Sequence, residues 1–258
     1  MIISSISFLV MQAFFLWISS LWLKDSSLMD RFWGSSFVVV TSLLIFQADQ
    51  NMGQWVLFSM VCLWGCRLSF YISQRNWGKG EDPRYLAMRN SITSYPTKSL
   101  YIVFLFQGAL VAIIALPLLH YFLGKSGNSI GGFEVIGIFI WAIGFITEIF
   151  ADRQLKSFKK NQNLNGKVLC QGLWALSRHP NYLGEALVWW GLWLYTFSWE
   201  GSWTIVSPIL ITWLLRYFTG VEHLERHMIK KRPSYREYQK KVPVFWPKPI
   251  GKTQERTF

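Results

Sequence analysis

Residues 2–23 read IISSISFLVMQAFFLWISSLWL, and this stretch decides the fold. No charged side chain interrupts it before Lys24. At 1.5 Å of rise per residue, a helix of this length crosses the roughly 30 Å of hydrocarbon in a bilayer. A lone strand would leave its backbone N–H and C=O groups unpaired in lipid, so a helix is the expected form. The run has no basic leader and ends at Lys24-Asp25 without a small-residue cleavage site. It is therefore expected to remain in the mature chain as a membrane helix rather than leave as a signal peptide.

Six more runs of this kind follow, over 32–48, 53–72, 99–123, 131–150, 183–198 and 203–221. The expected fold class is an all-α integral membrane protein, a single membrane domain over 1–258 with seven transmembrane helices. Loops 73–98 and 151–182 and the tail 222–258 connect and follow them. Composition agrees: 52% of the 258 residues are hydrophobic and only 16% are charged, against about 25% in a soluble domain. The 15 Trp residues are also far above soluble usage.

The chain carries 26 Lys and Arg against 14 Asp and Glu, a net charge of +12. That excess suits nucleic acid in principle, but its placement between and after the apolar runs excludes that class. With seven alternating spans, the basic residues of 24–31, 73–98, 151–182 and the tail all fall on one side, and only Lys125 falls opposite. By the positive-inside rule that side is cytoplasmic, so the N-terminus is expected outside and the C-terminus in the cytoplasm. The expected location is the cytoplasmic membrane, with the working face toward the cytoplasm, where the long loops lie. Cys62, Cys66 and Cys170 form no disulfide or zinc pattern. Nor do His120, His179, His223 and His227 form a metal-ligand set, and no metal is expected.

Ionisable residues in membrane helices are expensive and tend to line a cavity or a site. Trp64, Arg67 and Tyr71 share a face of the third run at i, i+3 and i+7. Glu148 and Asp152 stand i, i+4 at the end of the fifth. Asn181, Tyr182 and Glu185 open the sixth, and Arg216 lies near the end of the seventh. Two readings stand: a structural ion-pair network between helices, or a cytoplasm-facing pocket for a charged ligand.

Two loop segments are more specific. Arg75-Asn76-Trp77-Gly78-Lys79-Gly80-Glu81-Asp82-Pro83-Arg84-Tyr85 combines glycines that permit close backbone approach with arginines suited to phosphate. Gly172-Leu173-Trp174-Ala175-Leu176-Ser177-Arg178-His179-Pro180-Asn181-Tyr182-Leu183-Gly184-Glu185 places a proline at the start of the sixth helix. Such a helix start offers free N–H groups to an anion.

This second segment resembles the signature of membrane reductases of the steroid 5-alpha-reductase type, whose wider relatives include the sterol reductases and the isoprenylcysteine methyltransferases. The segment 75–85 resembles a loop of the bacterial branch, as does Asp30-Arg31-Phe32-Trp33-Gly34. The tail residues Leu224-Glu225-Arg226-His227-Met228, Arg232-Pro233-Ser234-Tyr235-Arg236-Glu237-Tyr238 and Phe245-Trp246-Pro247 fit as well. The resemblance implies a seven-helix fold that binds NADPH from the cytoplasmic side. It also implies reduction of the C=C bond of a 3-oxo-Δ4 steroid or similar lipophilic enone.

By that resemblance, Asn181, Gly184 and Glu185 match the family's Asn-x-Leu-Gly-Glu pattern, and Asp152 stands where a cofactor-contacting Asp is expected. The cofactor phosphates would be met by Arg75, Arg84, Lys156, Lys159 and Arg178. Arg67, His179, Tyr182, Arg216, Glu225, Tyr235 and Tyr238 complete the expected cofactor set. The carbonyl-polarising acid would be Tyr71, Tyr85 or Glu185. Trp33, Phe37, Gln54 and Trp64 would line a cavity for a steroid-like substrate entering a monomer from the bilayer, with membrane lipids as the other partners. A membrane methyltransferase using S-adenosylmethionine shares the run from Arg178 to Gly184 and is the main rival. A non-catalytic lipid-binding protein is the second. A transporter fits poorly, since no inverted repeat or broken midplane helix is visible.

Overall fold

A computed structural model describes residues 1–124, 130–164, 166–218 and 221–245, and for Glu222, His223 and His227 the backbone alone. Lys125, Trp246, Pro247 and the end of the tail lie outside the described residues, as do the side chains of His223 and His227. Among the described residues every regular element is helical. The chain divides into two compact units, residues 1–131 with 196–207, and residues 132–195 with 208–258.

The first unit holds α1 (Ile2–Leu23), α2 (Leu28–Ile45), α3 (Met52–Asn76), α4 (Pro83–Ser91) and α5 (Tyr95–Ser99). A π-helical stretch, Leu100–Leu105, joins α5 to α6 (Phe106–Ile114), and α7 (Leu116–Leu123) follows Ala115. The second unit holds α8 (Gly132–Lys160), α9 (Leu173–Leu176), α10 (Pro180–Tyr195) and all but the first two residues of α11 (Val206–Trp213). A second π-helical stretch, Leu214–Phe218, continues α11, and α12 (Val221–Lys231) and α13 (Tyr235–Lys241) form the tail.

Five helical stretches are long and apolar enough to cross a membrane: Ile2–Leu23, Leu28–Ile45, Met52–Asn76, Tyr95–Ile114 and Gly132–Lys160. The chain is an integral membrane protein. The other two expected spans map onto shorter helices, the 16-residue α10 and the 8-residue α11 with its π-helical continuation. Several boundaries move outward because charged residues continue a helix readily. α8 runs ten residues past the expected end at 150, through Asp152 and Lys156, and its terminal Lys159 and Lys160 complement the helix dipole. Residues 73–98, expected as a loop, contain α4, whose N-cap Asp82 accepts from the N–H of Arg84 and is followed by Pro83.

The apolar stripe Phe133, Ile136, Phe139, Ile143, Ile146 and Phe150 of α8 is exposed throughout, at three- and four-residue spacing. Such a face is solvated by lipid. The face turned inward is glycine. A Cβ on Gly144 would meet the carbonyl oxygen of Gly184 at 2.6 Å, and a Cβ on Gly191 would meet that of Gly137 at 2.7 Å. Antiparallel α8 and α10 thus pack backbone to backbone at two levels, the close small-residue contact favoured between membrane helices. In the first unit Gly34 of α2 and Gly65 of α3 do the same, each facing the other's carbonyl oxygen.

Candidate functional site

The turn that leads into α10 is built from both sides by the second unit. Gly172 has a positive φ of 60°, and the next residue's N–H donates to Gln154 Oε1 of α8 at 3.1 Å. The indole of Trp174 donates to the Ala151 carbonyl at 3.2 Å, which ties the short α9 to α8. The tail closes the other side. The N–H of Arg178 donates to the Pro243 carbonyl at 2.9 Å, and the N–H of His179 and the hydroxyl of Ser177 donate to that of Val244 at 3.3 and 2.8 Å. Tyr238 donates its hydroxyl to the carbonyl of Trp174.

Glu225, on α12, sits at the centre of this arrangement and is buried, as is His179. Its Oε1 lies 3.0 Å from His179 Nε2 and 3.4 Å from the Tyr235 hydroxyl, while Oε2 accepts from Gln239 Nε2 at 2.6 Å. Arg178 Nε is also 3.0 Å from Oε1, outside hydrogen-bonding alignment, so that contact is an ion pair. Arg178 also donates from Nη1 to the Gln239 carbonyl at 3.1 Å. Burial pushes the His179 imidazole below its ordinary value, outweighing the raising influence of Glu225. Burial acts to raise Glu225, but the hydrogen bond from His179 and the Arg178 charge outweigh it and leave the carboxyl below its ordinary range. Neutral His179 beside ionised Glu225, with Arg178 carrying the balancing charge, is the arrangement that follows. Burial raises Tyr235 and Tyr238, so both stay protonated donors.

At the second residue of α10, Asn181 Nδ2 donates to Asp152 Oδ1 of α8 at 3.4 Å. Asp152 is buried, as are Glu148 and Glu185 along the same two helices. Asn181 Oδ1 is buried and has no hydrogen-bond partner among the described residues. An orphaned buried acceptor beside a carboxylate suits a ligand carrying hydroxyl or amide donors. Tyr182 stacks on His179, with ring centroids 5.6 Å apart. Lys156 and Lys159 are exposed on the last turns of α8. The donor set of this unit therefore fits a nucleotide cofactor: Asp152 and Asn181 for ribose or amide groups, and exposed cations for phosphate. Arg178 and Glu225, expected to meet the cofactor directly, are engaged mainly with one another. Arg216 is half-buried, its guanidinium 4.8 Å from the Tyr217 ring centroid.

The remaining expected residues gather in the first unit. Arg67 and Arg75 flank the ring of Tyr71 on α3, at 5.2 and 6.0 Å from its centroid. Tyr85 is buried and donates to Asp30 Oδ1 at 2.6 Å, while Gln107 Nε2 donates to its hydroxyl at 2.8 Å. Burial and the Asp30 charge raise the Tyr85 phenol well above its ordinary value. Arg84 binds Asp30 at 2.7 Å and Asp82 at 3.0 Å, so its charge is already matched within α4 and α2. Trp33, Phe37 and Trp64 form an edge-to-face ladder with 5.7 Å between successive centroids, and Phe37 and Trp64 are fully buried. Gln54, expected at the substrate, forms the capping box of α3 with Asn51.

Sequence reasoning assigned no role to Asp30, Gln107 or Gln239. The legible signals were Gln107, an amide inside the apolar run 99–123, and Asp30, which opens the quoted run Asp30 to Gly34.

Comparison with known proteins matches residues 16–242 to a family described as "Protein of unknown function (DUF1295)". An uncharacterized protein of Schizosaccharomyces pombe, C594.04c, is 27% identical over 92% of this chain and 76% of its own length. The Delta(14)-sterol reductase ERG24 of Saccharomyces cerevisiae is 29% identical over 47% of this chain. The steroid 5-alpha-reductase DET2 of Arabidopsis thaliana is 41% identical over 30% of it. These matches span 30% and 29% of the two reductases' own lengths. No solved structure matches the chain. The chain belongs to the DUF1295 family, a steroid 5-alpha-reductase-like family with homology to the sterol reductases.

Proposed function

We propose that the protein is an NADPH-dependent membrane reductase that saturates the C=C bond of a 3-oxo-Δ4 steroid or similar lipophilic enone. Homology to sterol and steroid reductases supports the reaction class. The structural observation that carries the cofactor assignment is the part-buried Asp152–Asn181 pair with its unpartnered amide oxygen. In this reading all seven helical segments cross the bilayer, the N-terminus lies outside, and the α10 turn and basic tail face the cytoplasm.

When bound, NADPH supplies the hydride for the enone β-carbon. The residues here hold and orient it: Asp152 and Asn181 on the ribose or amide, Lys156 and Lys159 on phosphate. Glu225 keeps Arg178 and His179 in place at the start of α10. A protein acid then polarises the carbonyl as negative charge develops on its oxygen. Glu185 is the candidate in the same unit as the Asp152–Asn181 pair, buried on α10 four residues after Asn181. The Tyr85 proton is directed at Asp30 instead.

Calorimetry on the detergent-purified protein, comparing NADPH, NADH and S-adenosylmethionine, tests the assignment. NADPH is expected to bind, with affinity lost in Asn181→Ala. Binding of S-adenosylmethionine instead would overturn it in favour of the methyltransferase reading. NADPH binding justifies an enone screen that begins with progesterone and testosterone.

A further inference from the structure

A groove of about 550 Å³ opens in the second unit along α11 and its π-helical continuation, and none of Asp152, Asn181, Lys156 and Lys159 lines it. One wall is Ile209, Thr212 and Trp213, and the other is Val244 and Phe245 of the tail. The size falls within the about 300–1,000 Å³ typical of small-molecule sites. Thr212 presents carbon to it, because its hydroxyl donates back to the Pro208 carbonyl at 2.6 Å and accepts from the Trp190 indole. Arg216 is the charged residue in the lining and stands at one end. Seven residues separate it from Ile209, which is about 10 Å of helix.

An apolar trough with a guanidinium at one end fits an amphiphile with an anionic head, not a neutral ring system. A guanidinium matches phosphate oxygens with two parallel hydrogen bonds. The chain then runs into a strongly basic segment. From Arg226 to Lys241 the sequence holds seven Lys and Arg against the single acid Glu237. Lys230, Lys231, Arg236 and Lys240 of that segment are exposed. Such a hairpin following a membrane helix attracts anionic headgroups. We infer that the groove is a specific site for an anionic phospholipid, with one acyl chain lying along Ile209, Trp213 and Phe245 and its phosphate on Arg216.

The test is native mass spectrometry of the full chain, delipidated and then exposed to mixed micelles of dioleoyl phosphatidylglycerol or dioleoyl phosphatidylcholine. Retention of one phosphatidylglycerol in preference to phosphatidylcholine is expected, with no displacement by millimolar inorganic phosphate. Arg216→Gln is expected to lower that retention at least ten-fold. Val244→Trp, which fills the groove and keeps the guanidinium, is expected to do the same. Equal retention of the two lipids by the unaltered protein overturns the inference without recourse to any variant. So does undiminished retention in both variants, and so does displacement of the lipid by progesterone, which would make the groove a substrate path. NADPH binding, measured separately, bears on the reductase assignment alone.

Discussion

His179 Nε2 lies 3.0 Å from Glu225 Oε1, with both side chains buried, so a carboxylate of the tail holds the residue that precedes α10. Removing it leaves Arg178 and His179 without their acceptor. Glu225→Ala is expected to destabilise the protein by about 3–5 kcal/mol, the usual penalty for orphaning one member of a buried ion pair. Thermal unfolding in detergent measures it, and an unchanged midpoint would show that the tail contributes nothing to the α10 turn.

The same pair sets an acid response. The folded protein depresses His179 below its ordinary 6.5, so the unfolded chain binds the proton first as pH falls. Stability from this residue is present above about pH 6.5 and is lost as the pH falls below it. Glu225 is depressed below its ordinary 4.5, so its contribution is lost at still lower pH, through its folded value. Two successive losses are expected in melting temperature against pH. His179→Gln should remove the upper one and leave the lower one in place.

Close packing of α8 on α10 depends on having no side chain at Gly144 and Gly184. A Cβ at Gly184 would lie 2.7 Å from the backbone nitrogen of Glu148 and from the Gly144 carbonyl oxygen. Backbone atoms do not yield as side-chain tips do, so the helices must separate. Gly184→Val is expected to cost about 1–3 kcal/mol and to loosen the Asp152–Asn181 contact. A melting curve combined with NADPH titration reads both effects, and wild-type behaviour in each would count against the packing account.

Tyr85 ties α4 to α2 through Asp30, with Gln107 as a third member. Tyr85→Phe removes one donor from a carboxylate that still has Arg84, and a loss of about 1–3 kcal/mol is expected. If Tyr85 instead supplies the carbonyl-polarising proton, the variant keeps its stability and loses turnover. Melting and turnover measured on one preparation separate these outcomes.

Lys156 and Lys159 are exposed at the end of α8. The double variant Lys156→Gln, Lys159→Gln is expected to weaken NADPH binding about ten-fold or more and to flatten its salt dependence. Its melting temperature should stay close to that of the unaltered protein, since exposed charges contribute little to stability. Full retention of affinity would place the phosphates elsewhere.

The segments that carry the argument were legible in the chain. Lipid-spanning helices need long uninterrupted apolar runs, so 2–23, 53–72 and 131–150 announce themselves by length alone. The run from Arg178 to Glu185 stood out by its residue types, and Asp152 and Asn181 meet across α8 and α10.

Partner choice was not legible. Glu225 and His179 are 46 positions apart, and Tyr85 and Asp30 are 55 apart, separations that no periodicity encodes. In a sequence with a large positive excess, each arginine looks available for phosphate. Folding shows that Arg84 and Arg178 are already matched by carboxylates brought to them. Gln54 likewise read as a polar residue facing substrate, yet its local geometry makes it a helix cap. The glycines of α8 and α10 carried no packing role in the sequence reading, and packing makes them the contact surface. Sequence alone therefore determined the solvent and the long apolar helices that suit it, because burial in lipid is a property of contiguous residues. Tertiary structure decided which charges are spent on one another, because ion pairing depends on distance in space.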